Sequence, residues 1–300
     1  MKSRQLYGNA LLLITAFIWG CAFVAQSVGA AFVEPFTFNG VRMVIGGIVL
    51  LPFIAVSDWR KKREGTYQKM GAVEKKRLVV GGAACGVALC IGAGLQQIGI
   101  DAGTPSGKAG FITALYILLV PIAGLFFRKK VRPMIWLCVV VALAGLYLLC
   151  VTENSAFGVG DVYLLICALA FTAHILIIDH FSPRVDGVKL SCIQFFVSGL
   201  CSFVVMALFE HPSLEAIFDC WIPLLYTGAL SCGVAYTLQV VGQKYTAPTV
   251  ASLIMSLESV FAVLAGIVIL GEIPTAREWI GCVLMFMAII VAQIPQKKAL

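Results

Sequence analysis

The octapeptide Ala109-Gly110-Phe111-Ile112-Thr113-Ala114-Leu115-Tyr116 lies against Ala251-Ser252-Leu253-Ile254-Met255-Ser256-Leu257-Glu258 when the two halves of the chain are brought into register. Upstream, after a one-residue slip, Leu95-Gln96-Gln97-Ile98-Gly99 resembles Leu238-Gln239-Val240-Val241-Gly242. Downstream, Ala123-Gly124 matches Ala265-Gly266. The beginnings of the halves align more weakly, with Gly8-Asn9 against Gly160-Asp161 and Trp19 against Phe171. The chain is therefore read as two copies of one unit, 1–150 and 156–300.

Each unit carries five apolar runs, near 7–28, 36–57, 79–100, 106–127 and 133–151, then 161–179, 188–209, 220–242, 247–270 and 277–294. A run of about 20 residues crosses about 30 Å of hydrocarbon as a helix. The interruptions carry turn formers: Glu34-Pro35, Thr104-Pro105, Arg132-Pro133, Ser182-Pro183, His211-Pro212 and Ile273-Pro274. Membrane β-strands would be about ten residues long with dyad alternation, which these runs lack. Five is odd, so the second unit enters the membrane upside down. Loop charges agree, because Arg128-Lys129-Lys130-Val131-Arg132 is basic and its counterpart around Gly271-Glu272-Ile273-Pro274 is acidic. The expected fold is an all-α integral membrane protein with ten transmembrane helices in two inverted five-helix repeats. That architecture places a substrate near the midplane between the halves.

Composition excludes the other broad classes. Of the 300 residues, 60% are hydrophobic and 12% charged, against about 45–50% and about 25% in soluble domains. Burial in one globular core cannot absorb so much apolar surface. The 11 cysteines are odd in number, lie mostly in apolar runs and form no Cys-x-x-Cys pair. They are read as small packing hydrophobes, with no zinc or redox site. Lys2 and Arg4 ahead of the first apolar run suggest a signal peptide, but that run is too long and lacks a clean cleavage site, so a retained first span is expected.

Orientation follows from Lys and Arg. With ten spans and a cytoplasmic N-terminus, all but three of the 22 basic residues lie in cytoplasmic segments. The exceptions are Lys108 and Arg277 on the far side and Arg42 within a span. Far-side segments are acidic, with Glu34, Asp101, Glu153, Asp161, Glu210, Glu215, Asp219, Glu272 and Glu278. The net charge of +7 thus records topology and points to no nucleic acid. The basic loop 58–78 is read as a solvated topogenic loop, with anionic membrane lipid as the other reading. The expected location is the inner or plasma membrane, with both termini cytoplasmic.

Trp19-Gly20, Arg42 in the second span, Gln239 with Ala247-Pro248-Thr249-Val250-Ala251-Ser252, and Leu257-Glu258-Ser259-Val260-Phe261-Ala262 followed by Gly271-Glu272 together resemble the EamA family of the drug/metabolite transporter superfamily. The resemblance covers almost the whole chain. It implies a transporter of a small metabolite, with export as the expected direction, and leaves the substrate open. Where the family often has Glu-Pro, this chain has Glu258-Ser259. A proline-dependent bend in the ninth span is therefore not expected.

Polar residues inside spans are the candidate substrate or coupling groups. Glu258 lies about ten residues into the ninth span, about 15 Å deep by helix rise. A carboxylate there must face a cavity, find a donor or take up a proton, so it is either a substrate or proton site or a structural hydrogen bond. Tyr116 is its repeat mate. Ala109, Thr113, Tyr116, Val120 and Ala123 share one face of the fourth span by 3–4 spacing; Ala251, Met255, Glu258, Ala262 and Ala265 do so in the ninth. The two faces are expected to oppose each other across a central cavity. Arg42 either binds an anionic substrate group or snorkels outward to Glu34. His174 lines a pathway or bonds a neighbour, whereas Asp179 and His180 are expected at a solvated span end. Gln96 and Gln239 serve as substrate donors or interhelical glue, and Trp19 walls the cavity or packs. Gly82-x-x-x-Gly86 indicates close packing within one chain and gives no oligomeric state.

No catalytic residues, metal or cofactor are expected. Gly158-Val159-Gly160-Asp161 matches an intramembrane aspartyl protease string, but that chemistry needs two carboxylates in one site. Asp179 is eighteen residues further along the same helix, about 27 Å away by rise. Walker-type loops, H-E-x-x-H and dinucleotide fingerprints are absent from the sequence. The functional expectation is a secondary transporter of a small polar or amphipathic, amino-acid-like metabolite. It would export by alternating access, with protons as a candidate coupling ion. A passive facilitator or exchanger is the alternative within transport; a membrane-embedded enzyme or sensor is the alternative outside it.

Overall fold

The computed structural model describes residues 2–104, 106–126, 131–151, 157–265, 268 and 274–293. The Arg128–Lys130 run, Pro105, Glu153, Gly266, Gly271-Glu272-Ile273 and the C-terminal Lys297 and Lys298 lie outside the described residues. Every regular element among those described is helical. In lipid this follows from the backbone, since a helix satisfies its own N–H and C=O groups without water.

The helices are α1 (Lys2–Ala30), α2 (Pro35–Arg63), α3 (Ala72–Asp101), α4 (Ser106–Thr113), α5 (Tyr116–Phe126), α6 (Pro133–Cys150), α7 (Val159–Phe181), α8 (Gly187–Phe209), α9 (Leu214–Asp219) and α10 (Trp221–Leu225). A π-helical segment (Tyr226–Tyr236) leads into α11 (Thr237–Gln243), followed by α12 (Pro248–Met255), α13 (Glu258–Ala265) and α14 (Ala276–Gln293). Proline opens α2, α6 and α12 at the first helical turn, where its missing N–H costs no bond. Gly103, at φ 84°, follows α3 in a conformation that favours glycine.

Among the described residues, 8 helical stretches are long and apolar enough to cross a membrane. They are Ser3–Ala30, Pro35–Arg63, Ala72–Asp101, Lys108–Phe126, Val159–Phe181, Gly187–Phe209, Trp221–Gln243 and Pro248–Ala265. They fall on the first four and the sixth to ninth expected spans. The expected fifth span is α6, whose apolar part, Pro133–Leu149, is shorter. The expected tenth is α14, which packs along α6.

Packing follows a rule of exchange between halves. α3 packs on α7, as α11 and the π-helical segment pack on α1. α2 packs on the π-helical segment, as α8 packs on α3. α4 and α5 lie on α7, as α12 and α13 lie on α1. α2 with α8 and α6 with α14 map onto themselves. The Gly82-x-x-x-Gly86 stripe serves the α3–α8 contact: a Cβ at Gly86 would come 2.7 Å from the Gln194 carbonyl oxygen.

Two helices break at matching places. Between α4 and α5 the chain turns at Ala114 and Leu115; between α12 and α13 it turns at Ser256 and Leu257. Each break tightens to i→i+3 bonding: Leu115 N–H donates to Ile112 O at 3.2 Å, and Leu257 N–H to Ile254 O at 3.2 Å. No proline-dependent bend is expected in the ninth span, and the span breaks by other means. The turn falls immediately before Glu258 without any proline, and the Ser256 hydroxyl donates to Leu253 O at 2.8 Å beside it.

The self-paired helices α2 and α8 are clasped at both ends. At one end Glu210 accepts from Phe36 N–H, Thr37 N–H and the Thr37 hydroxyl at 2.6, 2.7 and 2.8 Å, while Glu34 accepts from His211 N–H at 2.8 Å. At the other end Lys189 Nζ lies 2.9 and 2.7 Å from the Asp58 oxygens. There Asp186 caps α8 by accepting from Val188 and Lys189 N–H. Carboxylates at helix N-termini complement the positive end of the helix dipole.

Candidate functional site

The two broken helices and α1, α2, α3, α7, the π-helical segment and α11 surround a cavity of mixed polar and apolar lining in the middle of the bundle. The breaks deliver its central pair. Tyr116 is the first residue of α5 and Glu258 the first of α13, and the Tyr116 hydroxyl donates to Glu258 Oε1 at 3.2 Å. Glu258 is 5% exposed. It is seated by Gly20 on α1, where a Cβ would lie 2.7 Å from the Glu258 carbonyl oxygen and 2.6 Å from Phe261 Cβ. The Trp19-Gly20 pair thus acts on two neighbours at once, glycine allowing contact with α13 and the indole facing the cavity.

Trp19 stacks obliquely on Tyr236 with ring centroids 4.6 Å apart, and its Nε1 donates to Ser231 O at 3.3 Å. Thr15, one turn earlier, donates to Ala235 O at 3.0 Å. Both acceptors belong to the π-helical segment, whose wider turns leave carbonyls available to α1.

Arg42 is 3% exposed on α2. Its Nε donates to Asn39 Oδ1 at 2.7 Å and Nη1 to Gln26 Oε1 at 3.0 Å. The outward snorkel to Glu34 is corrected: Glu34 is engaged with His211 N–H, and the guanidinium turns into the cavity wall. His174 on α7 shares a hydrogen bond with Gln194 at 3.1 Å and meets Tyr236 edge-on at 5.9 Å. Gln96 on α3 donates to the Thr113 hydroxyl at 3.4 Å. Gln239 also lines the cavity, and its side-chain oxygen is buried without a partner among the described residues. All eight side chains singled out from the sequence therefore border one space.

Other polar groups are used elsewhere. Asp161 sits at the start of α7, accepting from Lys108 Nζ at 2.6 Å and from Gly158 N–H at 2.8 Å. This is a capping and ion-pair role, away from the cavity. Among the described residues no cluster of His, Cys, Asp or Glu has the makings of a metal site.

The family model for EamA-like transporters matches residues 6–151 and again 158–293. The chain belongs to the EamA-like transporter family. It is a multi-pass membrane protein of that transporter family. An uncharacterized transporter of Archaeoglobus fulgidus is 31% identical over 292 residues, covering 97% of this chain and 87% of its own. The uncharacterized transporter YwfM of Bacillus subtilis is 26% identical, with 97% and 95% covered. The uncharacterized inner membrane transporter YedA of Escherichia coli is 21% identical, with 97% and 92% covered. A solved crystal structure superposes with a TM-score of 0.75 at 20% identity, covering 97% of this chain and 96% of the other, which supports the fold.

Within this EamA-like chain, the face that put Met255 beside Glu258 reaches the cavity, whereas sequence reasoning missed Gln26, Phe23, Ser231, Tyr236 and Phe171 as cavity residues. For two of them a signal existed. Gln26 follows Trp19 by seven residues, two helical turns on the same face, and Tyr236 precedes Gln239 by three.

Proposed function

We propose that this chain is a secondary transporter of a small polar or amphipathic metabolite, working by alternating access around the central cavity. In this reading ten spans form two inverted five-helix units, 1–150 and 156–300, with both termini cytoplasmic and net movement outward. The observation that carries it is the Tyr116–Glu258 hydrogen bond, formed between repeat-related residues at repeat-related helix breaks. Discontinuous helices meeting at the centre are how secondary transporters build midplane sites. The exchange rule in the packing and the double match of one family model support the repeat.

Glu258 is the coupling group in this proposal. A buried carboxylate reached from alternate sides can take up a proton on one side and release it on the other. The polar cavity wall formed by Gln96, Thr113, His174 and Gln239 offers hydrogen-bond donors and acceptors to substrate. The test is reconstitution of purified protein in liposomes, with uptake of a metabolite panel measured with and without a proton gradient. Saturable uptake that accumulates only with the gradient supports proton coupling. Exchange without accumulation would favour the facilitator, and no saturable flux of any compound would overturn the proposal.

A further inference from the structure

Arg42 stands out as a charge without a countercharge. Among the described residues no carboxylate lies within 4.0 Å of it. Its partners are two neutral amide oxygens, and the Asn39 amide is oriented beforehand. Asn39 is held by donation from Nδ2 to Ala93 O at 3.0 Å, and Gln26 accepts at its backbone oxygen from Gln97 Nε2 at 3.2 Å. The Phe38 ring lies 5.3 Å from the guanidinium carbon. Nε and Nη1 are thus engaged by protein, while Nη2 has no protein acceptor among the described residues. A guanidinium fixed in this way presents a ready edge to an anionic oxygen in the cavity it lines.

The fold itself does not require the charge. The α2–α8 clasps relate the halves by one constant offset, with Asp58 matched to Glu210 and Thr37 to Lys189. The same offset takes Arg42 to Gln194, a neutral amide buried against His174. One half thus packs an amide where the other packs a guanidinium. Arg42 lines the cavity and Gln194 is not among its lining residues, so the guanidinium is what this pair of positions presents to the cavity.

The remaining lining narrows the ligand. Arg42 is the only Arg or Lys on the cavity wall among the described residues, and Glu258 shares that wall. With Glu258 carrying its proton, the single guanidinium balances a monoanion, whereas a phosphate dianion would bring a second charge that nothing on the wall matches. The cavity has a volume of only about 40 Å³ in this conformation, so the body of the molecule is taken up as the cavity widens, against the apolar and aromatic surface of Trp19, Phe23, Phe171 and Tyr236. Resting on the transporter reading of this cavity, we propose that Arg42 is its anion subsite and that the compounds it selects are compact organic monocarboxylates with an apolar or aromatic body.

The experiment compares acids with their own amides, which keep shape and remove the charge. Full-length protein in detergent is titrated with phenylacetate and phenylacetamide, 3-methylbutanoate and 3-methylbutanamide, and phenylalanine and phenylalaninamide, reading tryptophan fluorescence and the thermal midpoint. At least one acid is expected to bind about tenfold or more tighter than its amide. Arg42→Gln, which installs the side chain the other half already carries, should abolish that preference. Arg42→Lys should keep it in weakened form, because a point charge remains while the planar fork is lost. Equal or tighter binding of every amide, no binding by any acid, or an unchanged preference in Arg42→Gln would overturn the inference. If Arg42→Gln does not fold, the wild-type acid–amide comparison decides alone. Failure of liposome transport with acid binding intact removes the transporter reading and leaves the subsite; saturable transport of neutral compounds only, indifferent to Arg42→Lys, does the reverse.

Discussion

Tyr116 and Glu258 stand 142 residues apart, occupy the same place in the two halves, and meet through a hydrogen bond of 3.2 Å. Neither position is reached by a continuous helix. Each is the first residue after a turn, so its side chain projects from a helix start into the cavity, away from the neighbouring turn. Glu258→Gln preserves size and can still accept from the Tyr116 hydroxyl, but it cannot titrate. The substituted protein should fold with a thermal midpoint close to the parent and retain substrate exchange. Accumulation against a gradient should be lost. Unchanged accumulation with unchanged pH dependence would make Glu258 a structural residue.

Tyr116→Phe separates the hydrogen bond from the carboxylate. It leaves Glu258 buried without its donor, a loss of about 1–3 kcal/mol. The expected result is a lower thermal midpoint than for Glu258→Gln, together with accumulation that shifts in pH dependence and does not vanish. A midpoint equal to the parent would show that water or another group replaces the phenol without cost.

Gly20 is where α1 and α13 come closest to Glu258. A methyl group there would meet backbone atoms, at 2.7 Å from the Glu258 oxygen and 2.8 Å from the Ala262 nitrogen. Backbone cannot swing away as a flexible side chain can. Gly20→Ala should therefore destabilise by about 1–3 kcal/mol through overpacking and displace Glu258 from Tyr116. Gly71→Ala is the control, since a Cβ there has no neighbour within 4 Å. Equal thermal midpoints for the two variants would contradict the close packing.

These residues also mark how far the sequence can be read. The spans were legible because a membrane helix must be apolar along its whole length, a signal that survives in any order of residues. The shared face of Thr113 and Tyr116, and of Met255 and Glu258, was legible because 3–4 spacing is local. The breaks at Ala114–Leu115 and Ser256–Leu257 were not, since neither holds the glycine or proline that announces a turn. The direction taken by Arg42 was equally hidden. Spacing puts Asn39, three residues earlier, beside it, but only packing brings Gln26 to meet it in place of Glu34. The clasps of α2 and α8 join residues far apart in the chain, so no local pattern records them.

The clasps bear on which side opens. Asp58–Lys189 ties one end of the α2–α8 pair and Glu210 with Thr37 ties the other. Asp58→Asn and Glu210→Gln should loosen opposite ends and shift the open populations in opposite directions. Contacts of this partly exposed kind are worth up to about 1 kcal/mol, which changes a two-state ratio by about fivefold. Labelling of a cysteine placed at Gln26, with a membrane-impermeant reagent applied from either side of vesicles, reads that shift. A shift in the same direction for both variants would mean that the clasps stabilise the bundle without gating it.

The last prediction concerns orientation, on which the outward direction depends. The segment from Asp58 to Arg77 carries eight Lys and Arg residues, while the far-side segments of the ten-span reading carry Lys108 and Arg277 alone. Basic residues near short loops resist translocation, so the side that holds them is expected to be the cytoplasm. In the structure Arg60, Lys61 and Lys62 close the last turn of α2 at the Asp58–Lys189 clasp, and Glu210 marks the opposite end. A reporter active on one side of the membrane, fused after Thr66, should read cytoplasmic, and one fused after Phe157 should read external. The two sites are separated by three spans in the ten-span reading, α3, the α4–α5 pair and α6, so they must lie on opposite sides. If both fusions report the same side, α6 does not cross, and the second half is no longer inverted with respect to the first.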